Sequence, residues 1–128
     1  MAAMRLRYYP ATVLRNVAAP VDRARAADFQ PLLLAMVDTM VSANGIGLAA
    51  PQVGRSHRVI VVSTGDGPLG LLNPEITAAS SRQESGEEGC LSIPGVFGLV
   101  TRAAGVKVAA WSAAGEALAF DAEGLFAR

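Results

Sequence analysis

The residue best suited to chemistry in this chain is Cys90, its one cysteine. It stands in segment 88–94, Glu-Gly-Cys-Leu-Ser-Ile-Pro, with a glycine directly before it and the carboxylate of Glu88 two positions before it. Cysteine attacks and binds metals as the thiolate, so this setting suits a nucleophile or a metal ligand. Free cysteine is also among the most often buried residue types, and Cys90 taken alone is better interpreted as a small buried hydrophobe.

A second segment, residues 45–54, carries two glycines and a glutamine in the order Gly-Ile-Gly-Leu-Ala-Ala-Pro-Gln-Val-Gly. Gly45 and Gly47 allow a sharp turn or a close approach of the backbone to a ligand. The Gln52 side chain offers both a donor and an acceptor. The glycine spacing is neither that of a dinucleotide fingerprint nor that of a phosphate loop. By mechanism alone, neither segment specifies a reaction.

Composition narrows the class of protein. A chain of 128 residues is long enough for one domain with a core, and 52% apolar residues with only 5% aromatics predict a core of small and aliphatic side chains. A formal net charge of zero argues against a nucleic-acid surface. One cysteine excludes an internal disulfide and fits a reducing compartment. We find neither a signal peptide nor a run of about 18 apolar residues, and therefore expect a soluble cytoplasmic protein.

The strongest local pattern is an amphipathic helix over about residues 28–43. Asp28 is the predicted N-cap, Pro31 is tolerated in the first turn, and Asn44 with Gly45 is typical of a C-cap. Apolar side chains recur at helical spacing and predict one buried face: Phe29, Leu32, Leu33, Met36, Val37, Met40 and Val41.

Most of the remaining chain reads as strands. The predicted strands cover residues 46–49, 58–63, 69–73, 75–79, 99–102, 106–111 and 116–120, and one further short strand contains Cys90. Pro74 is expected to divide two of them, residues 95–98 to form a turn, and polar residues 80–87 to form a loop or an exposed strand. Asp121 is the predicted N-cap of a last helix. The pattern predicts an α+β fold in a single domain spanning residues 1–128.

Together, about forty residues apart and in this order, the two segments resemble the peptide deformylase family. Its first two motifs, GxGLAAxQ and EGCLS, occur here without a mismatch, and the flanking Tyr9-Pro10 and Asn73-Pro74-Glu75 agree with it. The resemblance covers essentially the whole chain. It implies antiparallel or mixed sheets around one long helix, and metal-dependent hydrolysis of the N-formyl group from N-formylmethionine of nascent polypeptides, at the ribosome.

The resemblance also implies roles for individual residues. Cys90 is the implied metal ligand, together with two histidines that bind iron(II), or zinc or nickel. Gln52 and the Leu91 backbone N–H are the implied catalytic residues, because they stabilise the oxyanion. The peptide is expected to bind as an added strand, and Glu88 to pair with Arg102. The implied substrate-binding residues are Gly45, Ile46, Gly47, Glu88, Gly89 and Leu125.

One departure from the family pattern limits the implied chemistry. The third family motif, HExxH on a helix, supplies both histidines and the general base, but the sequence stops at Arg128 and its one histidine is His57. We therefore expect a C-terminally incomplete metal site, a chain inactive as written, and self-association through exposed core. Four carboxylates could supply oxygen ligands instead, but nothing in the sequence indicates that they have the geometry to bind a metal. They are Glu75, Glu87, Glu88 and Asp121.

Three functions stay open at this point. The first is the metallohydrolase, with the third motif lost or supplied elsewhere. The second is a non-catalytic peptide-binding module or a truncated remnant. The third and weakest is a cysteine hydrolase that uses Cys90 with His57, since nothing in the sequence orients that histidine, which is expected to be exposed.

Overall fold

The computed structural model describes residues 3–128, and its helical part lies near the start. Two 3₁₀ segments, Thr12–Leu14 and Arg23–Phe29, precede helix α1 (Gln30–Ser42). The predicted N-cap was wrong. Residues 23–29 already turn as a 3₁₀ helix, capped by Asp22, whose carboxylate accepts the Ala24 N–H at 3.0 Å. Asp28 instead forms an ion pair with Arg25 at 3.3 Å.

The other end of α1 confirms the predicted C-cap. Asn44 adopts a left-handed φ of 58° and donates its N–H to Val41 O at 3.1 Å. Gly45 N–H donates to Met40 O at 2.9 Å, which completes a Schellman motif. This turn leads the chain directly from the helix into the first glycine segment. No helix among residues 3–128 is long and apolar enough to span a membrane.

The strands form two antiparallel sheets. Their bounds are β1 (Gly47–Ala49), β2 (Val59–Thr64), β3 (Gly67–Ala79), β4 (Gln83–Cys90), β5 (Ile93–Ala103), β6 (Gly105–Trp111) and β7 (Ala117–Glu123). Five of them make one sheet in the order β1-β2-β3-β6-β7, and β4 pairs with β5 in a separate hairpin. A 3₁₀ segment (Ala50–Val53) follows β1, and a short helix α2 (Gly124–Ala127) follows β7.

The core lies between α1 and the five-stranded sheet. Met36 and Met40 from the helix and Val59, Val61 and Leu72 from the sheet are almost completely buried. Helix α1 and strand β3 approach each other closely, since a Cβ at Gly70 would lie 2.9 Å from a methyl group of Leu33. The core is therefore small-residue and aliphatic, as the composition predicts.

The predicted break at Pro74 was wrong, because β3 runs continuously through it. The register shifts between Leu72 and Glu75, so Pro74 occupies an irregular position where its missing N–H interrupts no ladder bond. Asn73 adopts a left-handed φ of 50° at this irregularity. Its side-chain amide stabilises the position by accepting the Val21 N–H at 2.7 Å and donating to the Val21 C=O at 2.8 Å.

Two further predictions failed near the end of the chain. Residues 95–98 lie inside β5, and the hairpin turn is instead Leu91 and Ser92, between the paired Cys90 and Ile93. Asp121 does not cap a helix. It belongs to β7, where it faces Lys107 on β6 and accepts a hydrogen bond from Lys107 Nζ at 3.2 Å. Strand pairing outweighed the local capping preference in this segment.

Candidate active site

One cleft of about 670 Å³ is lined by every residue to which the family resemblance gives a catalytic, substrate-binding or metal-binding role. The first glycine segment contributes Gly45, Ile46, Gly47 and Gln52. The hairpin β4–β5 and helix α2 contribute Glu88, Gly89, Cys90, Leu91 and Leu125. The cleft therefore lies between the C-terminal end of α1, the edge strand β1, the tip of the hairpin and α2.

Gln52 lies on the 3₁₀ segment that follows β1 and is held by contacts of both its side chain and its backbone. Its Oε1 accepts the Ala49 N–H at 2.9 Å, and its own backbone C=O accepts the Arg7 N–H at 2.7 Å. Its Nε2 lies 3.2 Å from Ser92 Oγ and 3.6 Å from Cys90 Sγ. Because a backbone donor occupies Oε1, the amide is oriented with its two N–H groups toward the hairpin. Gln52 thus presents a donor beside the thiol.

The tip of the hairpin places Cys90 at the cleft. Cys90 is exposed, so its interpretation as a small buried hydrophobe was wrong. Ser92, two residues further on, is only 2% exposed; its hydroxyl bonds Gln52 Nε2 and its C=O accepts the Tyr9 N–H at 2.9 Å. Sequence reasoning quoted Ser92 within the motif but gave it no role. Through these two hydrogen bonds, Ser92 joins the tip of the hairpin to the rest of the fold.

Close packing explains two of the glycines at the site. A Cβ at Gly45 would lie 2.7 Å from Leu91 Cδ1, and one at Gly89 would lie 2.6 Å from the Phe97 ring. Both distances are shorter than ordinary contacts. Gly45 therefore lets the hairpin tip approach the end of α1, and Gly89 lets the Phe97 ring of β5 pack against β4. A Cβ at Gly47 would meet only Val61 O at 3.8 Å. Gly47 is therefore not required by packing within this chain.

Glu88 pairs with Arg102 as predicted, and also with a second arginine that sequence reasoning missed. Arg102 Nε and Nη2 donate to the two carboxylate oxygens at 2.7 and 2.8 Å, and Arg128 Nη1 donates to Oε2 at 2.7 Å. Hydrogen bonds from Arg102 and then Arg128 lower the pKa of Glu88 from its ordinary 4.5 to about 2. Arg128 lies forty residues from Glu88, and no local pattern points to it.

The lowered pKa of Glu88 predicts an acid-sensitive contribution to stability. Because the folded state holds the ionised carboxylate, this contribution is complete above pH 4.5 and disappears as the pH falls toward about 2. We expect the urea midpoint of the Glu88→Gln variant to fall less steeply over this range than that of the parent chain. Glu87→Gln, on the opposite face of the same strand, should follow the parent. Superimposable midpoint curves for the parent and Glu88→Gln would show that the ion pairs do not contribute.

The residues present do not make up a three-ligand metal site. Among residues 3–128 no group of three or more His, Cys, Asp and Glu side chains could hold a metal ion. Cys90 is an exposed donor, but the carboxylate of Glu88 is occupied by two arginines and that of Asp121 by Lys107. Glu75 lines a different depression of the surface, and Glu87 lines the cleft without a histidine nearby.

His57 does not support a cysteine-hydrolase site. It is half-buried rather than exposed, with its ring packed edge-on against Phe29 at 5.2 Å between centroids. It does not line the cleft that contains Cys90. Packing of the ring against the Arg23–Phe29 segment accounts for its position, and no contact orients it toward the thiol.

Comparisons with known proteins identify the family of this chain. The sequence profile of the Polypeptide deformylase family matches residues 3–128. A peptide deformylase from Desulfitobacterium hafniense is 50% identical over 116 residues, which are 91% of this chain and 76% of that protein.

Two solved structures superpose closely on this fold. The peptide deformylase of Thermotoga maritima has a TM-score of 0.95 at 37% identity, covering 100% of this chain and 86% of that one. A class I type b peptide deformylase from Acinetobacter baumannii with Met-Ala-Ser bound has a TM-score of 0.91 at 35% identity, covering 99% and 87%. With both motif segments gathered at one cleft and the family profile matched along the described chain, this protein belongs to the polypeptide deformylase family.

Proposed function

We propose that the cleft binds the amino-terminal end of N-formylmethionyl peptides and presents their formyl carbonyl to two donors, the Gln52 amide and the Leu91 backbone N–H. The observation that carries this proposal is the fixed Gln52 Nε2, which lies 3.6 Å from Cys90 Sγ at the cleft. Leu91 lines the same cleft, and its N–H has no acceptor within residues 3–128. Donors held in this way stabilise developing negative charge without reorganisation, typically by about 3 kcal/mol each.

The edge of the five-stranded sheet suits an extended peptide. Strand β1 is an outer strand of this sheet, and Ile46 and Gly47 at its start line the cleft. A peptide can pair with such an edge through its backbone, while apolar side chains at the cleft accept a first residue such as methionine. Ile46, Phe97 and Leu125 are exposed apolar residues in position for that contact. The Acinetobacter baumannii relative was solved with the peptide Met-Ala-Ser.

Several finer assignments belong to the same proposal. Within residues 3–128, Cys90 is the side chain proposed as a metal ligand, and iron(II), or alternatively zinc or nickel, is the ion proposed for the family site. Nascent chains at the ribosome are the proposed source of substrate. A single exposed thiol fits the cytoplasm, where cysteines are kept reduced. By themselves, these 128 residues are proposed to bind the peptide without turning it over.

A binding cycle tests the proposed contact with the formyl group. Calorimetric titration with formyl-Met-Ala-Ser and with Met-Ala-Ser should show tighter binding of the formylated peptide. Gln52→Leu should weaken binding of the formylated peptide by roughly tenfold and leave binding of Met-Ala-Ser nearly unchanged, because only the formyl oxygen accepts a hydrogen bond from the Gln52 amide. Gln83→Leu, which removes an exposed amide from the same hairpin outside the cleft, should have no effect. Equal losses for both peptides, or no loss for either, would contradict the proposal.

A further inference from the structure

The hairpin that carries Cys90 has few connections to the rest of the fold. Strands β4 and β5 pair only with each other, while the other five strands form their own sheet. At the tip, Ser92 bonds Tyr9 and Gln52, and at the base the Gly124 N–H of α2 donates to the C=O of Ala104, directly after β5, at 3.3 Å. These contacts lie at the two ends of the hairpin, so the middle depends on something else.

Arg128 supplies the contact in the middle. Its side chain is only 14% exposed and reaches both strands. Nη1 donates to Glu88 Oε2 at 2.7 Å and to the C=O of Val100 on β5 at 2.8 Å. Nη2 donates to the C=O of Glu84 on β4 at 3.0 Å. One guanidinium thus joins α2 to three acceptors on the two strands.

The sequence of the hairpin leaves room for this guanidinium. A Cβ at Gly86 would lie 3.1 Å from Arg128 Cζ and 3.2 Å from Nη2, which is closer than ordinary contact, so a side chain there would force the guanidinium to shift. Gly86 has no left-handed φ, and backbone conformation does not demand a glycine at this position. Gly98, on the same hairpin, has nothing within 4 Å of its Cβ position. The space above Gly86 is therefore specific to the arginine.

We propose that Arg128 is a positioning residue that holds the Cys90 hairpin in place at the cleft. Glu88 lies two residues before Cys90 on β4, so fixing its carboxylate also fixes the backbone that leads into the thiol. Arg102 already neutralises Glu88 through a bidentate pair. Arg128 adds contacts that fix where the two strands lie relative to α2, because it also donates to the backbone of β4 and β5. This role concerns the geometry of the cleft and stands whether or not peptide binding is detected.

The choice of arginine has a geometric reason. The three acceptors belong to three different residues, and a planar guanidinium presents its N–H groups in a fixed fork that can meet all of them. A lysine ammonium keeps the charge as a compact point. Arg128→Lys should therefore preserve the ion pair with Glu88 and lose at least one backbone contact.

Amide hydrogen exchange and NMR spectroscopy of the whole chain test this role. In Arg128→Gln, amides of residues 83–90 and 93–103 should exchange roughly tenfold faster or more, while those of Val59 and Val61 in the core stay unchanged. The side-chain amide resonance of Gln52 should shift, since its contacts to Ser92 and Cys90 depend on the hairpin. Arg128→Lys should give an intermediate result.

A second variant and two controls complete the experiment. Gly86→Ala should change hairpin exchange in the same direction as Arg128→Gln but to a smaller extent, because its methyl carbon would lie 3.1 Å from Arg128 Cζ and push the guanidinium away from its acceptors. Gly98→Ala and Arg82→Gln, which alter the same hairpin at sites that do not contact Arg128, should resemble the parent chain. Uniformly faster exchange in hairpin and core would reveal a general stabilising role and overturn the proposal. Unchanged hairpin exchange in both Arg128→Gln and Gly86→Ala would do so as well.

Discussion

The 128-residue chain by itself is expected to release formate from N-formylmethionyl peptides at least roughly 10⁴-fold more slowly than a complete deformylase. The family reaction requires an activated water, which a metal with three protein ligands and an open position provides. This chain contains one cysteine and one histidine, and His57 packs against Phe29 outside the cleft. Elemental analysis after anaerobic purification should accordingly find well under one equivalent of iron, nickel or zinc.

Adding the family motif HExxH as a separate peptide provides a control for this prediction. A synthetic peptide carrying the family motif HExxH should restore formate release, because the cleft already holds Gln52 and Cys90 in contact. The same peptide with both histidines changed to alanine should not restore it, and neither should the intact peptide added to Cys90→Ser. Turnover by the chain alone within about tenfold of a complete deformylase, abolished by Gln52→Leu, would show that the prediction is wrong.

Self-association is the second large effect that we expect, and the apolar face of the hairpin is its proposed site. Phe97 and Leu99 are 66% and 82% exposed and share one face of β5, next to the exposed Leu125 at the cleft. Burying a side chain of this size stabilises a contact by about 1.5–3 kcal/mol. Sedimentation velocity should therefore show concentration-dependent assembly.

A charge on that face tests the site of the contact. Leu99→Lys should weaken assembly by roughly tenfold or more in dissociation constant, since each 1.4 kcal/mol is a factor of ten. Val17→Lys places the same charge at a residue that is 96% exposed elsewhere on the surface, and it should leave assembly unchanged. A parent chain that stays a monodisperse monomer as its concentration is raised would refute the association.

Local interactions made part of this fold predictable from sequence. The buried face of α1 and its Schellman end at Asn44 depend on residues within one or two turns, so periodicity and a capping pair were enough to place them. Strand β2 is a β-branched run and was placed within one residue. The two motif segments likewise sufficed to recognise the family, because their residue types are contiguous.

Errors arose wherever a local preference competed with strand pairing. Asp121 has a good capping side chain, yet its segment pairs with β6 and places it opposite Lys107. Gly95 and Gly98 suggested a turn, but the register of β4 against β5 puts the reversal at Leu91 and Ser92. Pairing partners lie far away in sequence, and a single local window contains no information on register.

By itself, the sequence determined the amphipathic helix, the β-rich remainder, the small aliphatic core and the identity of the candidate site residues. Tertiary structure alone decided that Gln52 contacts Cys90 and Ser92, about forty residues away in sequence. It also decided that Arg128 hydrogen-bonds Glu88 and that its guanidinium packs against Gly86. The physical reason is that helical periodicity and caps are satisfied within a few residues. Contacts between a loop, a hairpin tip and the end of the chain form only after the sheet register and the packing of α1 bring those segments together.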